Sequence, residues 1–480
     1  MLQNKYTTIV SEVKDFFTSS EKVINTILGI LSSLTLSEKQ LGYPSKANNE
    51  IKNVSKLFLL LLFPFFQVQD IWHYEKSTLY PIFRYGKDLF YRFVNESQVN
   101  WRKVLYRLNM QLIRKVENRG SSLSSKPKCL IIDDTDLPKT GMRIELIGKI
   151  FSHTHQRMIL GFKGLFLGYF DGKSFFSLDF SLHGEKGKNK KIPFGLKKKQ
   201  LQARYSKARA KLTPGYLRVE EYFISKIQSM IKMLRGAIKA GLRFDYVLVD
   251  SWFVNFELVK FIYTRRISTH LLGMARMGKT KYMFNNKLYS ANQIIDKLRK
   301  SKKLKRSKKL SFYYSEVIVD FQGIPIKLLF SKISKRGKWS LLLTTDLNLT
   351  FEKAYEIYSI RWQIEVFFKE SKHYLGLGKS QSQDFDAQIA NISTTMIQYN
   401  ILVTAKRFIS YETIGQLFED VSKDSLSLTV AEKIWKIIIE ILTQLGCFFE
   451  TEPNLIMEKL ISDNEQVKKI VNFNALLQAG

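Results

Sequence analysis

Two short runs of consecutive apolar residues, each followed at once by a carboxylate, constrain the fold of this chain more than any other feature. The first belongs to Cys129–Thr135, a predicted strand that ends on the adjacent carboxylates Asp133 and Asp134, and the second to Phe244–Asp250, a predicted strand that ends on Asp250. Unbroken apolar runs of this length are typical of strands buried on both faces of a sheet. A long stretch with helical periodicity separates them, and the order strand, helix, strand predicts an α/β sheet.

The first 119 residues have the periodicity of helices. The clearest helix follows Asn100, a suitable N-cap, and its apolar residues recur every three or four positions. These residues are Trp101, Val104, Leu105, Leu108 and Leu112. Basic side chains occupy the other faces, which suits binding to DNA and equally suits exposure to solvent. The small, polar stretch Gly120–Pro127 then predicts a linker.

The charge balance favours a polyanionic partner. The 480 residues contain 76 Lys and Arg against 43 Asp and Glu, a formal net charge of +33. The basic residues concentrate in Lys186–Lys211, which has eleven of them and no acid, and in Lys297–Lys309, which has nine. Such an excess suits nucleic acid or an anionic membrane surface.

A membrane interpretation is the weaker of these two. The most apolar run, Leu57–Phe66, contains Pro64 and is shorter than the roughly 20 residues that span a bilayer. Two cysteines in apolar surroundings argue against a disulfide scaffold and fit a reducing cytoplasm.

Downstream, a β-rich segment leads to a helix with four polar residues of interest. Phe312–Phe321 and Ile324–Phe330 have strand character and are joined by Gln322-Gly323, which predicts a β-hairpin. A single helix over Phe351–Leu377 would place the four polar residues on one side, because 3.6 residues make a turn. They are Tyr358, Arg361, Glu365 and Lys372. The interpretation is a site for a metal and a phosphate, or an ordinary amphipathic helix with an i,i+4 Arg–Glu pair.

The spacing of these four residues resembles a known signature. They match Y-x2-R-x3-E-x6-K at every interval, so the chain resembles DDE transposases of the insertion-sequence IS-four family over roughly residues 127–400. The resemblance implies an α/β fold: an RNase H-like catalytic core with a β-rich insertion, flanked by helical N- and C-terminal regions. The expected parts are a helical DNA-binding domain at 1–119, the core at 127–273 and 341–410, a β-rich basic insertion at 274–340, and a helical C-terminal region at 411–480.

The resemblance also implies the catalytic residues. Asp133, Asp250 and Glu365 would form the DDE triad and bind two Mg²⁺ ions, for which Mn²⁺ can substitute. The neighbouring Asp134 is a rival for the first position. Adjacent strand residues point to opposite faces, so only one of the two should be essential, and Asp133 is favoured. Trp339 resembles a tryptophan that stacks on a displaced base in hairpin-forming relatives, although it could instead anchor its strand in the core.

The predicted function is therefore a cut-and-paste DNA transposase. It would cleave and join double-stranded DNA at the terminal inverted repeats of its insertion sequence and at the target, as a homodimer on DNA, in the nucleoid of the cytoplasm. Tyr358, Arg361 and Lys372 would contact DNA phosphates. Two alternatives are a catalytically inactive DNA-binding protein derived from a transposase, and a glycoside hydrolase with paired carboxylates. The net charge of +33 disfavours the hydrolase.

Overall fold

The structure, a computed structural model, describes residues 23–45, 51–118, 126–264, 269–301 and 303–426. The chain divides into two compact units. A helical unit is formed by Met1–Arg119, Tyr205–Tyr216 and Glu370–Gly480, and a sheet unit by Gly120–Arg204 and Leu217–Lys369. Most of the predicted linker Gly120–Pro127, and the part of the predicted C-terminal region beyond residue 426, lie outside the described residues.

The described helices belong to both units. In chain order they are α1 (Val23–Ser32), α2 (Glu38–Leu41), α3 (Asn53–Leu62), α4 (Tyr80–Phe83), α5 (Lys87–Val94), α6 (Trp101–Asn118), α7 (Lys198–Gln202), α8 (Pro214–Phe223), α9 (Lys226–Lys239), α10 (Phe256–Tyr263), α11 (Ala291–Lys300), α12 (Phe351–Ser359), α13 (Trp362–Tyr374) and α14 (Phe385–Phe408). Residues 414–426 are also helical.

The described strands form one mixed, twelve-stranded sheet. They are β1 (Cys129–Pro138), β2 (Gly148–Ser152), β3 (Arg157–Phe170), β4 (Phe175–His183), β5 (Tyr246–Val249), β6 (His270–Ala275), β7 (Lys281–Phe284), β8 (Lys287–Ser290), β9 (Lys305–Arg306), β10 (Tyr313–Phe321), β11 (Ile324–Lys332) and β12 (Ser340–Thr344). The spatial order is β2-β3-β1-β5-β6-β12-β11-β10-β7-β8, with β4 also paired to β3 and β9 to β10.

The centre of the sheet confirms the predicted α/β class. Strand β1 is antiparallel to β3 and parallel to β5, and β5 is parallel to β6. The helices α8, α9 and others lie between β4 and β5 in the sequence, as the strand–helix–strand order predicts. The order β4-β3-β1-β5-β6 is consistent with an RNase H-like fold.

The prediction that the first buried strand ends on Asp133 and Asp134 is wrong. Strand β1 continues to Pro138, because the long strand β3 pairs with it along its whole length, from Cys129 opposite Phe170 to Pro138 opposite Gly161. What changes along the strand is burial: the side chains are buried from Cys129 to Ile132, half-buried from Asp133 to Asp136, and buried again at Leu137. The apolar run therefore marks the fully buried start of the strand and not its whole length.

The β-rich segment continues the same sheet beyond β12. The predicted hairpin is confirmed as β10 and β11, with Phe321 opposite Ile324. Its two turn residues have positive φ, 54° at Gln322 and 87° at Gly323. Positive φ at both central residues characterises the type I′ turn, whose twist matches that of the two strands.

In the helical unit, α14 forms the core. It is buried along almost its whole length, and α1, α3, α5 and α6 pack on it. Polar groups inside this core are hydrogen-bonded: Asn400 Nδ2 donates to Asn109 Oδ1 at 2.7 Å, and Gln398 Nε2 donates to the Leu60 carbonyl at 3.0 Å. The helix predicted after Asn100 is confirmed as α6: all five of its predicted core residues are buried.

A buried ion cluster fixes the start of α14. Lys207 Nζ lies 2.8 Å from both Asp384 Oδ2 and Asp386 Oδ2, and Arg209 Nε lies 3.0 Å from Asp386 Oδ2. The Arg209 side chain is only 3% exposed. These two cations belong to the basic tract Lys186–Lys211. They neutralise buried carboxylates of the same unit, so their role in the structure is to hold the start of α14.

None of the described helices combines the length and apolar character needed to cross a membrane.

The buried cluster leads to a stability prediction. Arg209→Ala should lower the free energy of unfolding by about 3 kcal/mol, because it leaves a buried carboxylate without one of its cations. Urea titration followed by circular dichroism measures this loss. Lys211→Ala, an exposed change in the same segment, should stay within about 0.5 kcal/mol of the wild type. Equal effects of the two changes would contradict a structural role for the cluster.

Candidate active site

Two of the predicted carboxylates meet because their strands are parallel neighbours. Strands β1 and β5 pair in register up to Ile132 opposite Val249. One further step along both strands sets Asp133 beside Asp250. The two carboxyl groups interact electrostatically. The carboxyl ends of adjoining parallel strands are a common position for binding sites in α/β proteins.

Arg361 links this pair to the third carboxylate. Its Nη1 donates to Asp133 Oδ2 at 2.7 Å, and its Nη2 donates to Glu365 Oε1 at 2.5 Å. The same guanidinium lies 5.8 Å from the ring centroid of Tyr358. The structure thus brings together Asp133, Asp250, Tyr358, Arg361 and Glu365, five of the seven residues that the sequence predicted for the site.

Burial shifts the pKa of two of these side chains, Asp133 and Tyr358. It raises the pKa of the Asp133 carboxyl to about 7, although the Arg361 guanidinium opposes the shift. Burial also raises the pKa of the Tyr358 hydroxyl to about 12, and the nearby carboxylates of Asp250 and Asp133 act in the same direction. A perturbed carboxyl at the edge of a sheet, with specific charged neighbours, is typical of functional sites.

Asp134 has different partners from Asp133. Its Oδ2 lies 2.5 Å from Nζ of Lys226, the first residue of α9. Successive side chains of a strand point to opposite faces, so Asp134 is directed to the α9 side while Asp133 faces Arg361. This geometry favours Asp133 as the first carboxylate of the site.

The single helix predicted over Phe351–Leu377 is wrong. The structure has two helices, α12 and α13, separated at Ile360 and Arg361. Around this junction the amides bond to the carbonyl three residues earlier, as from Arg361 N to Tyr358 O at 3.0 Å. Such bonding is tighter than the α-helical pattern, so a count of 3.6 residues per turn does not hold across the junction. At this junction between the two helices, the Arg361 side chain contacts both Asp133 and Glu365.

Two consequences follow for residues of this segment. Trp362, the first residue of α13, is 59% exposed. Lys372, the fourth residue of the signature, lies in the last turn of α13, in the part of that helix that belongs to the helical unit.

Trp339 lies directly before β12 and is half-buried. Strand β12 is antiparallel to β6, with Leu341 opposite Ala275, so β12 begins at the sheet edge where β5 and β6 end. Trp339 is therefore on the same edge as Asp250. The Nζ of Lys332 lies 4.8 Å from its ring centroid.

The sequence patterns did not predict the turn that follows Asp250. The Trp252 amide donates to Asp250 Oδ1 at 2.5 Å, and the Phe253 amide donates to the Asp250 carbonyl at 3.1 Å. Phe253 is buried, whereas Trp252 is exposed with Arg276 over its ring. Two adjacent aromatic residues, separated only by Ser251 from a strand-end carboxylate, were the available sequence signal.

The donor set suits a hard divalent cation, because Asp133, Asp250 and Glu365 offer only carboxylate oxygens. Within the described residues, however, no group of three or more His, Cys, Asp or Glu side chains is arranged to hold a metal ion. The position of Arg361 gives a physical reason: its guanidinium occupies the space between Asp133 and Glu365 and neutralises both. The three carboxylates have the right chemistry to bind a divalent metal ion if the Arg361 guanidinium moves away from Asp133 and Glu365.

This competition is testable by thermal unfolding. Without divalent metal, Arg361→Ala should destabilise the protein by about 2 kcal/mol, because two charge-assisted hydrogen bonds are lost. Saturating MgCl₂ should then raise the Tm of Arg361→Ala more than that of the wild type, since ligands that bind only the folded state stabilise it. Lys353→Ala, which removes an exposed pair with Glu356, is the control. An equal Mg²⁺ response of wild type and Arg361→Ala would show that the guanidinium and the metal do not compete.

Comparison with known proteins gives the enzyme class. Residues 224–401 match the protein-family model described as a transposase DDE domain, and residues 79–270 match the one described as a DDE superfamily endonuclease. Between them, these ranges contain Asp133, Asp250 and Glu365. No curated protein matches the chain.

A cryo-EM structure of a piggyBac transposase synaptic complex with hairpin DNA is similar over 87% of this chain and 79% of that chain, with 14% sequence identity and a TM-score of 0.41. Similarity at this level does not establish a common fold. The two family matches do identify the enzyme class: the chain carries a DDE transposase domain and is a DNA-cleaving enzyme of the transposase class.

Proposed function

We propose that this protein is a cut-and-paste transposase of the IS-four family, which cleaves and joins DNA at the ends of its own insertion sequence. The observation that carries the proposal is the meeting of Asp133 and Asp250 on parallel neighbouring strands, with Arg361 connecting Asp133 to Glu365. The finer family assignment rests on the four-residue signature, which the chain matches at every interval.

Asp133, Asp250 and Glu365 would hold the metal, two Mg²⁺ ions or Mn²⁺ in their place. Bound there, divalent ions stabilise the attacking and leaving oxygens of an in-line phosphoryl transfer. The half-buried setting of Asp133 strengthens its electrostatic interaction with any cation, because the local dielectric is lower than in water. The turn after Asp250 fixes that carboxylate through its hydrogen bond with the Trp252 amide.

Arg361 would position the DNA strand. Its two terminal nitrogens now engage one oxygen each of two carboxylates, and the same planar fork suits two oxygens of a phosphate. Tyr358, beside this guanidinium, would help to orient the strand, and Lys372 would contribute a further phosphate contact. Trp339, on the same sheet edge, would stack on a base displaced from the duplex.

The exposed lysines would supply affinity without sequence specificity. In the tract Lys186–Lys211, Lys186–Lys191 and Lys197–Lys199 contain seven exposed lysines, and every described Lys or Arg of Lys297–Lys309 is exposed. Contacts of this kind with phosphates release counterions and dominate non-specific DNA binding. The partners would be the terminal inverted repeats and target DNA, bound by a homodimer in the nucleoid.

A cleavage assay with matched substitutions tests this function. On labelled DNA that carries the repeats flanking the coding segment, with MgCl₂, each of Asp133→Asn, Asp250→Asn and Glu365→Gln should lower the cleavage rate by roughly 100-fold or more. DNA binding should change little. The matched control Asp134→Asn should cleave within about tenfold of the wild type, because Asp134 pairs with Lys226 on the other face.

Two outcomes would contradict the proposal. Cleavage by Asp250→Asn at the wild-type rate would remove that residue from the reaction. A wild-type protein that binds these DNA ends but does not cut them with Mg²⁺ or Mn²⁺ would instead be a catalytically inactive DNA-binding protein.

A further inference from the structure

An exposed tryptophan lies two residues from a predicted catalytic carboxylate, and the proposed roles leave its ring unexplained. Trp252 is 64% exposed, one of the most exposed large apolar side chains among the described residues. Exposing an indole to water forgoes the stabilisation that its burial would give. The backbone of the same residue is fixed, because its amide donates to Asp250 Oδ1 at 2.5 Å.

The ring itself is held in place. The guanidinium carbon of Arg276 lies 4.1 Å from the ring centroid of Trp252, which is a close cation–π contact. The His153 ring centroid lies 6.5 Å from that of Trp252, at an angle of 52° between the planes. Phe253, buried beneath the turn, anchors the adjacent position. Trp252 is thus a preorganised aromatic surface that is open to solvent.

The strand order places this aromatic surface at the same end of the sheet strands as Asp250. Trp252 follows β5, Arg276 directly follows β6, and Trp339 directly precedes β12, which are three neighbouring strands. All three residues lie at the end of the sheet where Asp250 lies. Adjacent strands are about 4.8 Å apart, so aromatic rings and cations alternate along this edge within the span of a few nucleotides.

An aromatic ring next to a cation suits binding of a nucleotide. Every nucleobase has a flat π surface that stacks on an aromatic ring, and each nucleotide carries a phosphate that attracts a cation. In an intact duplex the base faces are covered by their neighbours, so only an unpaired nucleotide offers a face to a protein side chain. The Trp252–Arg276 pair matches both parts of such a ligand.

We propose that Trp252, backed by Arg276, is a stacking site for an unpaired nucleotide of the DNA strand next to the cut. The inference rests on the proposed function, since it takes the Asp250 edge as the place where DNA is cleaved. It adds a single-stranded DNA contact to that function. Trp339 would be a second, half-buried aromatic contact farther along the same edge.

The test measures binding to single strands without cleavage. The probes are a fluorescein-labelled dT12 oligonucleotide and a labelled 12-mer of the same backbone whose sites are all abasic, each titrated in EDTA and followed by anisotropy. Full-length wild type, Trp252→Ala, Trp252→Phe and Tyr263→Ala are compared. Tyr263 is a suitable control because it is 51% exposed and lies at the far end of α10, the helix that follows the Trp252 turn.

Trp252→Ala should weaken dT12 binding by roughly tenfold, as expected for the loss of one stacked base, and should leave binding to the abasic strand within about twofold. Trp252→Phe should retain most of the dT12 affinity, because it keeps an aromatic face. Tyr263→Ala should bind both probes like the wild type.

The site assignment is overturned if Trp252→Ala binds dT12 like the wild type. It is also overturned if Trp252→Ala weakens the dT12 and abasic probes equally, since the ring would then serve the local fold. These outcomes are independent of the cleavage assay. Carboxylate-dependent cleavage without base-dependent binding at Trp252 contradicts only the stacking site. Base-dependent binding at Trp252 without carboxylate-dependent cleavage contradicts the transposase function and leaves Trp252 as a single-stranded DNA contact that is unconnected with cleavage.

Discussion

The parallel pairing of β1 and β5 is the constraint on which the candidate site depends. This register carries Asp133 and Asp250, separated by more than a hundred residues of sequence, to the same level of one sheet edge. Both strands are buried up to that level, so the carboxylates stand at the boundary between the core and solvent. A slip of one residue in either strand would turn one carboxylate to the opposite face, because side chains alternate along a strand.

Bringing like charges together requires a cation, and Arg361 provides one. Its position is a consequence of the break between α12 and α13, where tighter hydrogen bonding reorients the chain before Glu365. The raised pKa of Asp133 reflects the remaining cost of keeping a carboxylate out of water. The same site could therefore exchange an internal cation for metal ions and direct the arginine to a phosphate, which joins its electrostatics to the proposed reaction.

Local patterns predicted the parts of the fold that local physics determines. Apolar runs located β1 and β5, the three-to-four spacing after Asn100 located α6, and Gln322-Gly323 located a hairpin turn because its backbone needs positive φ. Features that depend on distant partners could not be predicted. The length of β1 depends on β3, and the buried state of Arg209 depends on Asp386.

In the candidate site, too, local sequence predicted some features, and contacts between distant residues determined the others. The four-residue signature named Tyr358, Arg361 and Glu365, which the structure brings together, yet the single helix assumed for them was wrong, because tighter hydrogen bonding separates α12 from α13 at Arg361. Trp252 was missed because an aromatic residue after a strand is most often part of the core. Only its exposure and the Arg276 contact, which are tertiary features, distinguish it.

The most direct test of the account is to locate the metal. Anomalous scattering from crystals of the full-length protein soaked in MnCl₂ should show Mn²⁺ bound by Asp133, Asp250 and Glu365, with the Arg361 guanidinium moved away from the oxygens it now contacts. Manganese bound elsewhere in the chain, with Arg361 still bridging Asp133 and Glu365 at saturating metal, would contradict the assignment of these three carboxylates as the catalytic metal site.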